Sequence, residues 1–326
     1  MSGIPSKDTG ERIESSEALS REHIKSVLIA LFVTVLWASS WVIIKFGLEE
    51  IPPLTFAGFR YTIAAGILMA VLMGKQDSRS SIRRLTRRDI GVLAGYGTVF
   101  VAVTQGAQFV GLDLLDAIAV SLLLNLTPLL VLVIGIIVLK EIPTAKQIGL
   151  ILIGIGGVLI YFYPMEFESL QLIGILVVLG GVVANAFSSI IGRSINRRRE
   201  LPPIIVTGIS MLIGSLLLLV AGLMVEGVQT IGPLSMVYIL WLSIVNTAFA
   251  FTLWNKAMQT LRAIDISIIN GTMFPQIVLL SVVFLGEMPD LVDWIGLALI
   301  GTSVVAVQIT EARRKTKIEQ SPKDLQ

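Results

Sequence analysis

Residues 140–149 read KEIPTAKQIG, and residues 286–296 read GEMPDLVDWIG. Each stretch places a Glu-x-Pro unit between a long apolar run before it and another after it. The two units lie 146 residues apart in a chain of 326 residues. A turn that occurs twice at this spacing predicts a chain built from two equivalent halves.

The composition sets the environment of these halves. The chain has 54% hydrophobic and only 15% charged residues, with a mean hydropathy of +0.85, whereas soluble domains contain about 25% charged residues. Uncharged runs recur along the sequence, and a run of roughly 18 residues is long enough to cross a bilayer as a helix. The composition therefore predicts an all-α polytopic membrane protein surrounded by lipid.

The apolar runs divide the chain into predicted membrane-spanning helices with short connections, so that consecutive spans are antiparallel neighbours. Ten spans are predicted, at 26–47, 54–73, 90–111, 116–139, 144–163, 170–191, 203–225, 233–256, 264–286 and 291–310. The polar segment 1–25 is predicted to be a disordered tail, and the segment 311–326 is predicted to be a basic tail.

The basic residues predict the orientation, because Lys and Arg are retained on the cytoplasmic side of a membrane. Counting both tails, 23 of the 25 basic residues fall on one side of the predicted topology, and the exceptions are Lys45 and Arg60. The connections on the other side carry acidic residues. We therefore expect a multi-pass protein of the cytoplasmic membrane with both termini in the cytoplasm.

The two halves are predicted to be inverted with respect to each other. Equivalent positions are separated by five spans, and an odd number reverses direction, as in many secondary transporters. The predicted repeats are 26–164 and 169–310. Ordered matches support them: Ile51-Pro-Pro-Leu-Thr-Phe-Ala-Gly58 with Leu201-Pro-Pro-Ile-Ile-Val-Thr-Gly208, and Pro128 with Pro275.

This pattern resembles the EamA-type transporters of the drug/metabolite transporter superfamily. The resemblance covers about residues 27–309 and rests on four features: Pro-Pro-x-x-x-x-x-x-Arg60, Ala-x-x-x-Ser121 before Pro128, Glu-x-Pro, and Gly149-x-x-x-x-Gly154. It implies a substrate cavity lined mainly by the first, third, fourth, sixth, eighth and ninth spans, with the fifth and tenth as outer scaffold. It also implies export of amino acids, other metabolites or amphipathic compounds. One departure is the seventh span, where Ile209 and Ser210 leave Arg60 without a basic counterpart.

Arg60 lies about seven residues into the second span, where a charge is costly. Two interpretations remain open. Arg60 is either a structural arginine, bonded to helix-end carbonyls or to an outer-loop acid such as Glu49, or a binding group for an anionic or carboxylate-bearing substrate.

Uncharged polar and aromatic side chains recur on the spans that the resemblance assigns to the cavity. Such residues either hydrogen-bond neighbouring helices or line an aqueous cavity with aromatic walls that holds apolar or cationic ligand surfaces. With Arg60, the candidate substrate-binding residues are Trp37, Trp41, Gln105, Gln108, Asn125, Asn185, Asn246, Trp254 and Asn270. Pro128 and Pro275, which interrupt helical hydrogen bonding, are candidate hinges.

Several function classes find no support in the sequence. Motifs of membrane enzymes and of ATP hydrolysis are missing, the chain has no Cys, and its one His is His23 in the polar tail. No catalytic residue, metal, cofactor or nucleic-acid partner is therefore expected. A secondary transporter of small molecules is the first hypothesis; a membrane sensor or structural protein, or less plausibly a channel, is the alternative. No carboxylate lies near mid-membrane, so facilitated diffusion or exchange is expected, with coupling through Asp265 left open, and the sequence leaves the oligomeric state open.

Overall fold

The computed structural model describes the backbone of residues 7–139, 144–197, 201–228 and 230–320, and these residues form ten helical rods with no strand. The first five are α1 (Lys7–Leu48), α2 (Pro53–Gly74), α3 (Arg87–Gly97, Thr98–Gln105 and Gly106–Leu114), α4 (Ala117–Leu124 and Thr127–Leu139) and α5 (Ala145–Tyr161). The second five are α6 (Ser169–Arg197), α7 (Pro203–Glu226), α8 (Pro233–Ser243, Ile244–Phe249 and Ala250–Ala257), α9 (Ala263–Gly271, Met273–Leu280 and Ser281–Leu285) and α10 (Leu291–Gln320). A short helix, Gln76–Arg83, connects α2 to α3.

The predicted fold class is confirmed. Within the described residues, nine helices are long and apolar enough to cross a membrane, and α5 is a shorter apolar helix of 17 residues, or about 26 Å at 1.5 Å per residue. The backbone of α1 begins at Lys7 and that of α10 ends at Gln320. Both helices therefore continue into the segments 1–25 and 311–326 that the sequence analysis assigned to tails.

Small residues bring the helices of the two repeats together. α2 packs along α7, and α5 packs along α10. The closest approach joins α3 to α7, where a Cβ on Gly97 would overlap the Ser210 carbonyl and a Cβ on Gly214 would overlap the Gly97 carbonyl. Only glycine permits this backbone contact, so α3 and α7 form a tightly joined pair.

Two helices at equivalent places in the repeats contain a π-helical segment. These segments are Thr98–Gln105 in α3 and Ile244–Phe249 in α8. In each, a threonine hydroxyl donates to the carbonyl five residues earlier: Thr104 to Val99 (2.9 Å) and Thr247 to Leu242 (2.8 Å). π segments are rare and frequently occur at functional sites. A third segment, Ser281–Leu285, ends α9.

α4 and α9 are each interrupted just before their proline. The α4 break falls at Asn125–Leu126 and the α9 break at Thr272. Pro128 and Pro275 thus lie in the first turn of the second segment, where the missing N–H leaves no helical bond unmade. The two hinge candidates therefore sit beside real interruptions of their helices.

Candidate functional site

A cavity of about 580 Å³ lies between the two repeats. Nine of the ten predicted binding residues line it, and so does Pro128. The nine are Trp37, Trp41, Arg60, Gln105, Gln108, Asn125, Asn185, Asn246 and Asn270. Residues from different spans of both halves therefore meet around one space.

Two predicted residues lie elsewhere. Trp254 is not part of the lining but packs against Trp37, with ring centroids 5.0 Å apart. Pro275 lines a separate apolar groove of about 470 Å³ between α9 and α10. Asn125 and Phe274 line both spaces and so form the partition between them.

The cavity also includes residues of two helices that the family resemblance did not count among its main lining. α2 contributes Tyr61 beside Arg60, and α10 contributes Val307 and Gln308. The expectation that the tenth helix is only an outer scaffold is therefore wrong at this end, because α10 packs against the first part of α9 and its inner face reaches the cavity. Thr127 and Phe251 are further lining residues that the sequence analysis did not single out.

Arg60 is buried, with 4% of its surface exposed. Its Nε donates to Thr247 Oγ1 at 3.1 Å, and its Cζ lies 5.0 Å from the Tyr61 ring centroid and 5.9 Å from that of Phe109. These distances fit cation–π contacts. The partners expected for a structural arginine, Glu49 or helix-end carbonyls, are not the ones it has.

The π segment of α8 holds the polar residues next to Arg60. Asn246 Nδ2 donates to the Leu36 carbonyl and to Ser39 Oγ (3.2 Å), both on α1. Its Oδ1 is buried and has no hydrogen-bond partner in the described part of the chain. On α2, the Tyr61 hydroxyl donates to Gln105 Oε1 at 2.6 Å. The polar side chains thus both connect helices and face the cavity.

The exposure of the lining residues changes from one end to the other. Ser189, Arg193 and Asn270 are exposed, whereas Arg60, Tyr61, Ser121 and Asn246 are buried. We call the end near Arg193 and Gln308 the open end. We call the end beyond Arg60, where Glu226 and Glu287 lie, the closed end.

Three carboxylates join the repeats at the closed end, and one of them is Glu50, which accepts from the Ser235 hydroxyl at the start of α8. Glu287 accepts from Ala117 N (2.7 Å) and Ile118 N (2.8 Å) at the start of α4. Glu226 accepts from Leu54 N and Thr55 N (both 2.8 Å) at the start of α2. The first turn of a helix has unpaired N–H groups and a positive dipole end, so a carboxylate stabilises it.

In the second Glu-x-Pro turn, the glutamate bonds a helix of the other repeat and not the helix that follows it in sequence. Glu287 caps α4 in the other repeat, while Asp290 and Asp293 bond each other's backbone N–H at the start of α10. Pro289 precedes that helix rather than lying in its first turn. Glu141 and Pro143, the matching unit, lie outside the described residues.

Lys45 completes the closed end. Its Nζ donates to the Leu112 and Leu115 carbonyls at 2.9 and 3.0 Å, where α3 ends. A cation at this position complements the negative end of the helix dipole. This contact explains one of the two basic residues that departed from the charge pattern.

At the open end, an ion pair lies within a single helix. Arg262 and Asp265 pair within the first turn of α9, with Nε–Oδ2 at 3.0 Å and Nη2–Oδ1 at 3.1 Å. Arg262 holds the pKa of Asp265 below its ordinary value, whereas burial raises the pKa of Glu287. His23 Nε2 lies 3.8 Å from Asp265 Oδ2.

The charges around the cavity have one sign. Its charged lining residues are Arg60 and Arg193, and no Asp or Glu is among the described residues that line it. Within the described part of the chain, no three His, Cys, Asp or Glu residues lie close enough together to hold a metal ion. The site can therefore bind a small organic molecule through hydrogen bonds, aromatic contacts and positive charge.

The sequence profile of the EamA-like transporter family matches the chain twice, over residues 24–163 and 172–308. An uncharacterized transporter of Bacillus subtilis, YoaV, is 27% identical over 256 residues, or 74% of this chain and 82% of that protein. A "probable amino-acid metabolite efflux pump" of Escherichia coli is 22% identical over 75% of this chain and 83% of its own length.

An uncharacterized transporter of Archaeoglobus fulgidus is 24% identical over 89% of this chain and 98% of its own. One solved crystal structure superposes with a TM-score of 0.58 and 19% identity, covering 89% of this chain and 99% of the other. This last similarity supports the fold alone.

Proposed function

This chain belongs to the EamA-like transporter family, and we propose that it is a secondary transporter that exports small metabolites across the cytoplasmic membrane by alternating access. Amino acids and related amphipathic solutes are the proposed substrates. The E. coli relative and a Salmonella typhimurium relative, each named as a probable amino-acid metabolite efflux pump, support this class.

The observation that carries the proposal is a cavity between the two repeats whose lining is exposed toward Arg193 and buried around Arg60. The bonds of Glu226 and Glu287 join the second repeat to the first at the closed end. The Arg262–Asp265 pair at the open end stays within one repeat. If the bonds of Glu226 and Glu287 break while the open end closes, the same cavity becomes exposed to the opposite side of the membrane.

The placement of basic residues supports an assignment of the side of the membrane to which the cavity opens. The open end lies on the side where the basic residues collect, which the positive-inside rule assigns to the cytoplasm. In this conformation the cavity would therefore take up solutes from the cytoplasm. Reorientation would then release them outside, and export as the net direction is proposed from the relatives named as efflux pumps.

The cavity lining supports a transport cycle without proton coupling. Proton-coupled carriers place titratable carboxylates along the pathway, and the described lining has none. Asp265, the alternative coupling residue, is already paired with Arg262. We therefore propose facilitated diffusion or exchange, with flexing at the breaks before Pro128 and Pro275.

The test uses the purified chain in proteoliposomes loaded with amino acids, small organic acids and amphipathic cations. A carrier gives saturable efflux, and external unlabelled solute accelerates the exit of labelled solute. A channel gives efflux that does not saturate, and no flux of any solute favours a sensor or structural protein. Accumulation against a gradient, driven by an imposed pH difference, would contradict the uncoupled cycle.

A further inference from the structure

Arg60 is a buried guanidinium with most of its donors unused. An arginine side chain has five N–H donors, and Nε uses one on Thr247. The four N–H donors on Nη1 and Nη2 have no acceptor among the described residues. The rings of Tyr61 and Phe109 offset part of the desolvation of the charge but accept no conventional hydrogen bond. The two terminal nitrogens are not fully buried, so they are accessible from the cavity that Arg60 lines, and an anion bound there would offset the cost of the charge.

The carboxylates at the closed end hydrogen-bond backbone N–H groups or the Ser235 hydroxyl, and not Arg60. Glu226 and Glu287 each bind two backbone N–H groups at helix starts. Only Arg60 and Arg193 are charged in the described cavity lining. A negative group for Arg60 must therefore arrive with the solute, and the exposed Arg193 at the open end has the right sign to attract it.

The geometry of Arg60 favours a planar anion. Thr247 Oγ1 accepts from Nε and itself donates to the Leu242 carbonyl, which fixes one edge of the guanidinium. The two terminal nitrogens are left as a parallel fork. Such a fork matches the two oxygens of a carboxylate in a bidentate pair.

The other residues that line the cavity indicate what the remainder of the solute is like. Trp37, Trp41, Phe100 and Phe251 line the same space. Trp37 is held by Phe251 and Trp254, with ring centroids at 5.4 and 5.0 Å. Rigid aromatic walls bind an apolar or aromatic body rather than a small hydrophilic one.

We propose that the closed end of the cavity is a carboxylate site in which Arg60, positioned by Thr247, binds a solute carrying a carboxylate on an apolar body. The inference rests on the proposed transport function and specifies its substrate class. Arg60 is the binding residue, and Thr247 is a positioning residue.

The test compares N-acetylphenylalanine with its carboxamide, because the two differ only in the group that would meet Arg60. Binding to purified protein is followed by quenching of the chain's five tryptophans, and flux by counterflow in proteoliposomes with protein-free liposomes as background. We expect the carboxylate to bind roughly tenfold or more tightly than the carboxamide, since hydrogen bonds to charged groups are strong.

Four variants separate the roles. Arg60→Gln should remove the preference for the carboxylate, and Arg60→Lys should retain only part of it because the fork is lost. Thr247→Val should weaken carboxylate binding severalfold while leaving carboxamide binding unchanged. Arg87→Gln, an exposed arginine at the start of α3, is the matched control and should behave as wild type.

Several outcomes would overturn the inference. If the wild type binds the carboxylate and the carboxamide equally, the inference is wrong but the proposed transport function is unaffected. Tighter binding of phenyl phosphate would also contradict the inference, because the site would then be a phosphate site. An Arg60→Gln protein that keeps the preference would return Arg60 to a structural role. If that variant does not fold, Arg60→Lys and Thr247→Val decide the question. Absence of saturable flux for every solute would instead contradict the proposed function.

Discussion

The closed end and the open end of the cavity are made from different kinds of bond. At the closed end, Glu226, Glu287 and Lys45 each bond the backbone of a helix terminus other than their own, and both glutamates reach from the second repeat to the first. At the open end, Arg262 and Asp265 bond each other within one turn of α9. Short bonds from charged side chains to the other repeat are therefore found at the closed end, whereas at the open end His23 on α1 approaches Asp265 only to 3.8 Å, and substitutions at the two ends should have unequal effects.

The largest effect is expected from Glu287→Ala, which leaves two N–H groups of α4 without their acceptor. Loss of a helix cap costs about 0.5–2 kcal/mol, which is roughly a 2- to 30-fold shift between conformations. The chain has no native cysteine, so a Ser121→Cys sulfur in the buried lining can serve as a reporter. A membrane-impermeant maleimide added outside intact cells should react faster in the Glu287→Ala variant, by roughly tenfold.

Asp265→Ala is the matched control at the open end. Its hydrogen-bonded partner Arg262 is in the same turn, and its contact with His23 on α1 is 3.8 Å long, so labelling from outside should stay close to that of the reporter alone. Equal acceleration by both substitutions would mean that the closed end is not held by Glu287.

Glu226→Gln should have a smaller effect of the same sign. A carboxamide keeps one oxygen for the N–H groups of Leu54 and Thr55 but loses the charge that favours a helix start. We expect labelling from outside to increase about two- to fivefold. Unchanged labelling would mean that the charge of Glu226 contributes nothing to the closure.

Lys45→Met keeps the apolar stem and removes the ammonium from the end of α3. A cation at a helix C-terminus contributes about 0.3–1 kcal/mol, so the labelling rate should rise by roughly twofold. Lys146→Met, at an exposed position in the first turn of α5, provides the comparison. A larger effect from Lys146 would contradict the assignment of Lys45 to the closed end.

The smallest expected effect is on how protein stability depends on pH. The pKa shifts of Glu287 at the closed end and Asp265 at the open end have opposite directions. Burial raises the pKa of Glu287 above its ordinary 4.5, so the folded protein binds this proton more tightly than the unfolded chain. Stability should therefore rise as the pH falls from 7 toward 5, and Glu287→Gln should lose this slope. Melting curves of detergent-solubilised wild type and variant measure it.

Asp265 should stabilise the folded protein more at high pH than at low pH, the reverse of Glu287. Its pKa is held below the ordinary 3.8 by Arg262, so its stabilisation is present above that pH and is lost only as the pH falls further. Asp265→Asn should therefore leave the slope between pH 7 and 5 unchanged. A parallel change in both variants would mean that burial of Glu287 does not govern the closed end.

Sequence patterns predicted the parts of this molecule that depend on local composition. Apolar runs and charge placement predicted ten helices in two repeats, because a bilayer demands long uncharged segments. Polar residues on apolar spans, such as Gln105, Asn185 and Asn246, were predicted as lining because they have few other places to face.

Other parts depend on contacts between distant residues. The bonds from Glu287 to Ala117 and Ile118 join positions 170 and 169 residues apart, and nothing local to Glu287 indicates them. Thr247 was not singled out because a threonine in an apolar helix is usually bonded to its own backbone. Its i−5 bond requires the π segment, for which propensity gives no signal.

The π segments also have a consequence for comparing related chains. A π turn contains one residue more than an α turn, so each segment corresponds to a single-residue insertion in an otherwise regular helix. Deleting one residue, such as Val103, should convert the segment to regular α-helix while the residues beyond it, Gln108 included, keep their orientation, because the π turn already absorbs the extra residue. Homologues that lack the insertion should therefore align with a one-residue gap here and differ in the side chains that the segment itself presents to the cavity.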